Sequence, residues 1–372
     1  MIQTINTKVY LVAGEASGDL IGGQLIHSLK KLSPISNYRA WGGERMEAAG
    51  AKLSKHIRET NFMGFWEVLR NAYQIFHLFK EIKTDIQKFQ PDIVVLIDYP
   101  GFNLRLAKWL HQNKIPVVYY VSPQVWAWKA SRIKKIKKWV NLMITILPFE
   151  KDFYARFGYE VEYVGHPLID EIASKKKTKT PTIQETKILA LLPGSRFQEI
   201  SKMLPIMTEA AKKLPQFKPI IVKSPLISTE EYTSVLGPSS KIEISPDGAF
   251  SILERASLAC VGSGTATLET ALMNVPQVVC YRVNSLSFYL AKKLVKIPFI
   301  SLVNLIAGRK IVEELVQERF TTSILTDALL KADQNRSEIL KGYLSLKRKL
   351  GKGGASDKAA ALIIQFINER LN

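Results

Sequence analysis

The chain has 372 residues, 47% of them hydrophobic and 23% charged, with 52 Lys and Arg against 33 Asp and Glu. That length exceeds one ordinary core and suits two globular domains of roughly 150–200 residues each, and no disordered tail, low-complexity segment or internal repeat stands out. The formal net charge of +19 leaves three partner classes open, an anionic membrane, an anionic substrate or nucleic acid, while two cysteines exclude a framework of several disulfides.

The first residues, Met1–Val9, lack a basic segment followed by an apolar one, so no signal peptide is expected. No run of about 18 apolar residues occurs, so no helix should span a bilayer. The expected location is the cytoplasm. Cys260 and Cys280 have no metal-ligand spacing around them and read as buried thiols of a reducing compartment.

In chain order, Val9–Ala13 reads as a strand and Leu20–Lys31 as a helix. Asp92–Asp98, bounded by Pro91 and Pro100, is a fully buried strand; Asn103–Asn113 follows as a helix, then strands at Pro116–Val121 and Leu142–Leu147. Continuous apolar strands between helices indicate a parallel sheet covered on both faces. Asp170–Glu185, with its Ser-Lys-Lys-Lys-Thr-Lys-Thr-Pro-Thr run, reads as a linker. The alternation then restarts: strand Ile188–Leu192, helix Ser201–Lys213, strands Pro219–Val222 and Ala259–Val261, helix Thr265–Met273, strand Gln277–Tyr281. The expectation is two tandem Rossmann-like α/β domains, residues 1–169 and 170–345, with parallel sheets facing a central cleft. Residues 346–372 would form a terminal helix, one option being that it packs back on the first domain.

Ligands bind at the carboxyl ends of strands in such folds, and the distinctive residues fall there. Ala13–Asp19 (Ala-Gly-Glu-Ala-Ser-Gly-Asp) follows the first strand; its glycines allow a tight turn and close backbone approach, with Glu15 and Ser17 as candidates to meet a ligand, Ser17 or Asp19 able to cap the turn, and Asp19 well placed before the helix from Leu20. Asp98-Tyr99-Pro100 closes the buried strand, where partial desolvation raises a carboxyl pKa toward a base role. Trp126 and Trp128, followed by Arg132, Lys134, Lys135, Lys137 and Lys138, can stack on a sugar or sit at a membrane interface. Pro193-Gly194-Ser195-Arg196 puts a forked cation on a glycine-bearing loop. Gly262-Ser263-Gly264-Thr265-Ala266 precedes a helix whose N-terminus suits a pyrophosphate, with Glu269 one turn in, placed for ribose hydroxyls. His166, in Gly165-His166-Pro167, is a further candidate near the domain junction. No His/Cys/Asp cluster has metal spacing, so neither metal nor cofactor is expected.

Gly101–Phe149 holds nine Lys and Arg and no acid, and Thr270–Val312 holds six and no acid. Both windows are rich in bulky apolar residues, which suits a lipid headgroup region better than a duplex groove, and no stacking platform or groove helix argues for specific nucleic-acid binding. Over residues 61–82, Phe62, Phe65, Trp66, Leu69, Tyr73 and Phe76 share one helical face, while Ile75, Leu78, Phe79 and Ile82 form another. One face can pack on the domain; the other would receive acyl chains or the bilayer. Met63, Phe65, Trp66, Phe76, Phe79, Trp126, Trp128 and Arg132 are the candidate acceptor and membrane residues.

Taken together these residues resemble the lipid-A-disaccharide synthase family of GT-B-fold transferases. Ala13–Asp19, Tyr120–Lys129, Leu147–Glu150, Gly165–Pro167, Leu192–Arg196, Ser263–Glu269 and Ser301–Arg309 match family motifs in order, from about residue 9 to about residue 320. One departure is visible: the family pattern Asp-x-Pro-Asp-Phe-Asn has Gly101 here in place of its second acid, which leaves Asp98 as the essential carboxylate. The resemblance implies an inverting transfer, without metal, of 2,3-diacylglucosamine from UDP to the 6-hydroxyl of 2,3-diacylglucosamine 1-phosphate. It implies donor contacts from Ser17, Gly194–Arg196, Gly262–Ala266, Glu269 and Asn304, and association with an anionic inner-membrane surface, with a homodimer left open. Asp98 is the first choice for base, with Glu15 and His166 as alternatives. Rival readings are a transferase of UDP-N-acetylglucosamine with a polyprenyl-linked acceptor and a UDP-sugar epimerase.

Overall fold

The computed structural model describes residues 7–34, 36–59, 72–128, 130–176, 186–225, 227–237, 240–284, 288 and 297–371. The chain divides into two compact units, residues 1–167 with 353–372, and residues 168–352.

The first unit is built on a seven-stranded parallel sheet: β1 Lys8–Ala13, β2 Asn37–Gly42, β3 Lys52–His56, β4 Ile93–Ile97, β5 Val117–Tyr120, β6 Leu142–Thr145 and β7 Glu162–Tyr163, in the order β3-β2-β1-β4-β5-β6-β7. The five residues of β4 are all apolar and all buried, as a strand covered by helices on both faces requires. The second unit has six parallel strands: β8 Ile188–Leu192, β9 Lys218–Val222, β10 Glu243–Ser245, β11 Ala256–Gly262, β12 Gln277–Tyr281 and β13 Glu313–Val316, ordered β10-β9-β8-β11-β12-β13. Both orders reverse between their first and fourth strands. That is the doubly wound arrangement, whose crevice lies at the reversal.

Register fixes which loops share each crevice. Ala13 pairs with Ile97, so the Gly14–Glu15 turn leaves the sheet beside Asp98. In the second unit Val261 pairs with Leu192, so Gly262–Ser263 emerges beside Pro193–Gly194.

Helix Ala16–Leu32 carries Leu25, Ile26 and Leu29 into the core. Asp19 does not cap this helix, as expected from its place before Leu20; it lies inside it. Its buried carboxylate accepts backbone N–H groups from Gly43 (2.7 Å), Arg45 (3.0 Å) and Met46 (3.1 Å), capping the short helix Glu44–Ala48 instead. The terminal helix Ala355–Leu371 lies on helix Ala16–Leu32 of the first unit, burying Ala359, Ala360 and Ile363, and Ser28 Oγ donates to Asp357 at 2.6 Å. Burying one large aliphatic side chain contributes about 1.5–3 kcal/mol, which fastens the last turns to the first helix. The charged stretch expected as a linker is helical at its start: helix Pro167–Lys176 runs through Asp170–Ser174. Residues 177–185 lie outside the described ones. Cys260 and Cys280 are unbridged thiols on β11 and β12, their sulfurs 3.5 Å apart in the second core. Among the described residues no helix is long and apolar enough to cross a membrane.

Candidate active site

In the first unit the chain bends sharply as it leaves β4. Asp98 and Tyr99 both have positive φ, 46° and 49°, and Val121, one residue past β5, has φ 68°. Non-glycine residues in this region cost on the order of 1–3 kcal/mol each and persist only where neighbours over-determine them. Here they are over-determined. Asp98 N–H donates to the Tyr120 carbonyl at 3.1 Å, and its own carbonyl accepts from Tyr119 OH (2.6 Å) and from Asn103 Nδ2 (2.9 Å). Tyr119 and Asn103 are fully buried, so the Asp98 backbone is held from beneath by the core.

The Tyr99 ring turns back over Gly14 and stacks with Phe102 at 5.5 Å. A Cβ at Gly14 would overlap that ring, so only glycine fits there. The turn brings Glu15 to Asp98. Burial pushes the Asp98 carboxyl up to about 7, and the Glu15 charge adds to the rise. Asp98 opens onto a pocket of about 180 Å³ whose walls include Pro123, Gln124, Trp128 and Arg132.

The Trp-bearing loop is anchored below. Ser122 Oγ and Tyr154 OH share a 2.7 Å hydrogen bond, and Trp126 packs edge-on against Phe149 with centroids 5.0 Å apart. Glu150, buried, accepts the N–H of Leu147 at 2.9 Å and of Ile146 at 3.3 Å. Burial raises its carboxyl to about 7.

In the second unit Gly194 has φ 121°, and a Cβ there would overlap Glu199. Glu199 accepts Ser195 N–H at 3.1 Å and pairs with Arg196 at 3.4 Å, which leaves the Arg196 side chain about half exposed. Beside it Ser263 N–H donates to the Cys280 carbonyl and Ser263 Oγ to the Ile300 carbonyl, both at 2.9 Å. Gly264 and Thr265 stand exposed at the start of helix Thr265–Leu272, whose first N–H groups have no intrahelical partner. Glu269, half-buried, has its carboxyl raised first by burial and further by Glu171, with Lys175 opposing.

A family model for lipid-A-disaccharide synthetase matches residues 9–364. The chain belongs to this family. Curated lipid-A-disaccharide synthases of Myxococcus xanthus and Coxiella burnetii are each 37% identical to it; the alignments cover 97% of this chain, and 97% and 99% of the respective relatives. Among solved structures it is similar to a UDP-GlcNAc 2-epimerase from Neisseria meningitidis (TM-score 0.66, 16% identity, 96% of this chain and 100% of that one). It is also similar to the calicheamicin glycosyltransferase (TM-score 0.62, 15% identity, 99% of both chains). At such identities the likeness speaks for the fold alone, which is that of GT-B glycosyltransferases and related epimerases. The chain is thus a glycosyltransferase of the lipid-A-disaccharide synthase family.

Two candidates read from the motifs occupy other roles. Asn304 is fully buried: its Nδ2 donates to Glu314 (2.8 Å) and the Val312 carbonyl (2.9 Å), while its Oδ1 accepts from Ile311 and Val312 N–H. Its amide therefore ties helix Leu302–Ala307 to β13 and does not reach a ligand. Phe79 is not a membrane-facing residue; it stacks on Phe102 at 4.2 Å and packs with buried Leu78 and Ile82 on the core. Among the described side chains of helix Ala72–Phe89 the exposed aromatic is Phe76, at 71%. His166 is buried, and burial lowers it to about 4, so it is an uncharged imidazole at neutral pH. Met63, Phe65 and Trp66 lie outside the described residues. Ser17 is exposed in the first turn after Glu15. The sequence does not single out Tyr119, Asn103 and Glu150 as site residues. Their signal was weak, because each acts through the backbone of a neighbour.

Proposed function

We propose that the chain transfers an acylated glucosamine from UDP to the 6-hydroxyl of an acylated glucosamine 1-phosphate, with inversion at the anomeric carbon. The observation that carries this reading is Asp98: a carboxyl raised by burial to about 7, at the strand reversal of the first unit, opening onto a pocket. A base works best when its pKa lies near the working pH. As the acceptor oxygen bonds to the donor's anomeric carbon, Asp98 takes the hydroxyl proton and the bond from that carbon to the UDP oxygen breaks.

The second unit holds the donor. Arg196 with Gly194 and Ser195, and the N–H groups of Gly264–Ala266 after Gly262 and Ser263, neutralise the pyrophosphate as it leaves. Glu269 accepts ribose hydroxyls. Glu15 orients the acceptor beside Asp98. His166, uncharged, serves as a structural group. Exposed Phe76 and Trp128, with the lysines after Arg132, face an anionic membrane from which both acylated substrates are drawn.

The test is direct. Purified protein is incubated with both acylated substrates, and the products are followed by mass spectrometry. A disaccharide 1-phosphate and UDP in equal amounts are expected. Hydrolysed or epimerised UDP-sugar without a disaccharide would overturn the assignment.

A further inference from the structure

Arg132 is held in an unusual way for a surface cation. Ile133 and Ile136 of helix Ile133–Trp139 are buried in the core, which fixes the start of that helix. The Arg132 guanidinium lies over the Trp128 ring, 5.1 Å from its centroid. Among the described residues it has no ion pair and no hydrogen bond. A guanidinium stacked by one face keeps its N–H donors along its edge, and that fork matches two oxygens of a phosphate.

The same pocket contains Asp98. Were Arg132 there to neutralise Asp98, its charge would hold that carboxyl down. Instead the carboxyl is raised, and the groups acting on it are its own burial, Glu15 and the Tyr99 backbone. The two ends of the pocket therefore face a ligand with opposite demands: a hydroxyl that gives up a proton at one end and an anion at the other. In a hexopyranose 1-phosphate the 6-hydroxyl and the phosphate flank the ring oxygen, along one edge of a single ring. A pocket of about 180 Å³ has room for one sugar ring. A phospholipid headgroup would meet the cation but has no hydroxyl that gives up its proton in a reaction.

We infer that Arg132, stacked on Trp128, binds the phosphate of the sugar 1-phosphate acceptor and selects it over the unphosphorylated sugar. This rests on the reading of Asp98 as the acceptor-side base.

The experiment compares wild type, Arg132→Ala and Arg132→Lys in detergent micelles, each with the acylated glucosamine acceptor bearing its 1-phosphate and with the same acceptor lacking it. The ratio of the two kcat/KM values should fall at least tenfold in Arg132→Ala and less in Arg132→Lys, which keeps the charge without the fork. An unchanged ratio overturns the assignment. So does an unchanged ratio accompanied by weaker binding of Arg132→Ala to phosphatidylglycerol vesicles, which would give the residue to a lipid headgroup. If wild type forms no disaccharide from either acceptor, the transferase reading fails. The site is then decided by calorimetric titration with glucosamine 1-phosphate and with glucosamine. Tenfold weaker binding of the phosphate to Arg132→Ala supports it, and equal binding overturns it.

Discussion

The phenol of Tyr119 donates a 2.6 Å hydrogen bond to the main-chain carbonyl of Asp98, and this bond joins a buried core residue to the left-handed bend that aims the proposed base. Tyr119→Phe keeps the ring and removes the donor. A single hydrogen bond of this kind contributes about 0.5–1.5 kcal/mol, so urea denaturation should show a loss of about 1 kcal/mol. The turnover number should fall several-fold because the Asp98 carboxyl is less firmly aimed, while UDP affinity stays level. A variant with wild-type turnover would show that Asn103 and the Tyr120 carbonyl suffice to hold the bend.

Asp98→Asn retains the shape of the side chain and removes its basicity. The turnover number should drop by ~10²-fold or more, with UDP binding near normal. The pH profile follows from the same residue. A base acts when deprotonated, so kcat/KM should fall as pH drops through about 7, where the Asp98 carboxyl titrates in the fold. His166, lowered to about 4, supplies no limb near neutrality. Steady-state rates from pH 5 to 9 test this: Asp98→Asn should flatten the acid limb, and a variant that keeps it would move the base elsewhere.

The two α/β units and their strand-end loops were legible because buried strands such as Ile93–Ile97 and Ile188–Leu192 are continuous apolar runs between turn residues. The strands β2 and β3 were not. Asn37–Gly42 and Lys52–His56 mix Arg39, Lys52, Ser54 and Lys55 into their pattern. Tertiary pairing compensates: Arg39 bonds Asp85 at 2.9 Å through Nε, and Ser54 and Asp85 both meet the Tyr10 hydroxyl. Asp98 could be singled out by its place after a buried strand. Asn304 could not be told from a ligand contact, because a buried amide bonded to Glu314 and one aimed at a sugar look alike in sequence. Phe79 misled for a similar reason. Periodicity finds two apolar faces on residues 61–82 but does not say which one meets Phe102.

Arg196 and Glu199 form an ion pair at 3.4 Å with Arg196 about half exposed. Pairs of this kind contribute little to stability, so Arg196→Ala should leave the fold intact. A charge-assisted bond to pyrophosphate is worth about 1.5–3 kcal/mol, so calorimetry should show UDP binding weakened tenfold or more. Unchanged affinity would take the donor phosphates away from the Gly194–Arg196 loop.

Gly101 occupies the first turn of helix Pro100–Gln112, and a Cβ there would meet nothing within 4 Å. Replacing a helical glycine by aspartate recovers a few tenths of a kcal/mol in helix propensity, and an acid in the first turn adds a few tenths through the helix dipole. Gly101→Asp should therefore fold normally and gain about 0.5 kcal/mol in urea denaturation. A destabilised variant would mean that the backbone at this position needs glycine after all.

Glu150 offers a stability measurement with a defined sign. Its carboxyl is raised by burial from the ordinary 4.5 to about 7, against the opposing pull of the Leu147 and Ile146 N–H groups. The folded chain thus keeps a proton that the unfolded chain releases above about pH 4.5. Stability from the neutral form is fully present below that pH and is lost as pH rises toward 7, at up to about 1.4 kcal/mol per pH unit. Asp98 acts in the same direction, while His166 acts in the opposite one, costing stability as pH falls from 6.5 toward about 4. The wild-type curve mixes all three, so the informative quantity is the difference between Glu150→Gln and wild type. Glutamine has the shape of the protonated acid, can accept the same two backbone N–H groups, and does not titrate. The two proteins should be nearly equal in stability near pH 4.5, with the variant gaining steadily up to about pH 7 and holding a constant advantage above it. Urea denaturation across pH 4.5–8 measures this directly. A difference that does not vary with pH would show that Glu150 is already ionised in the folded protein and that its two backbone N–H bonds outweigh its burial.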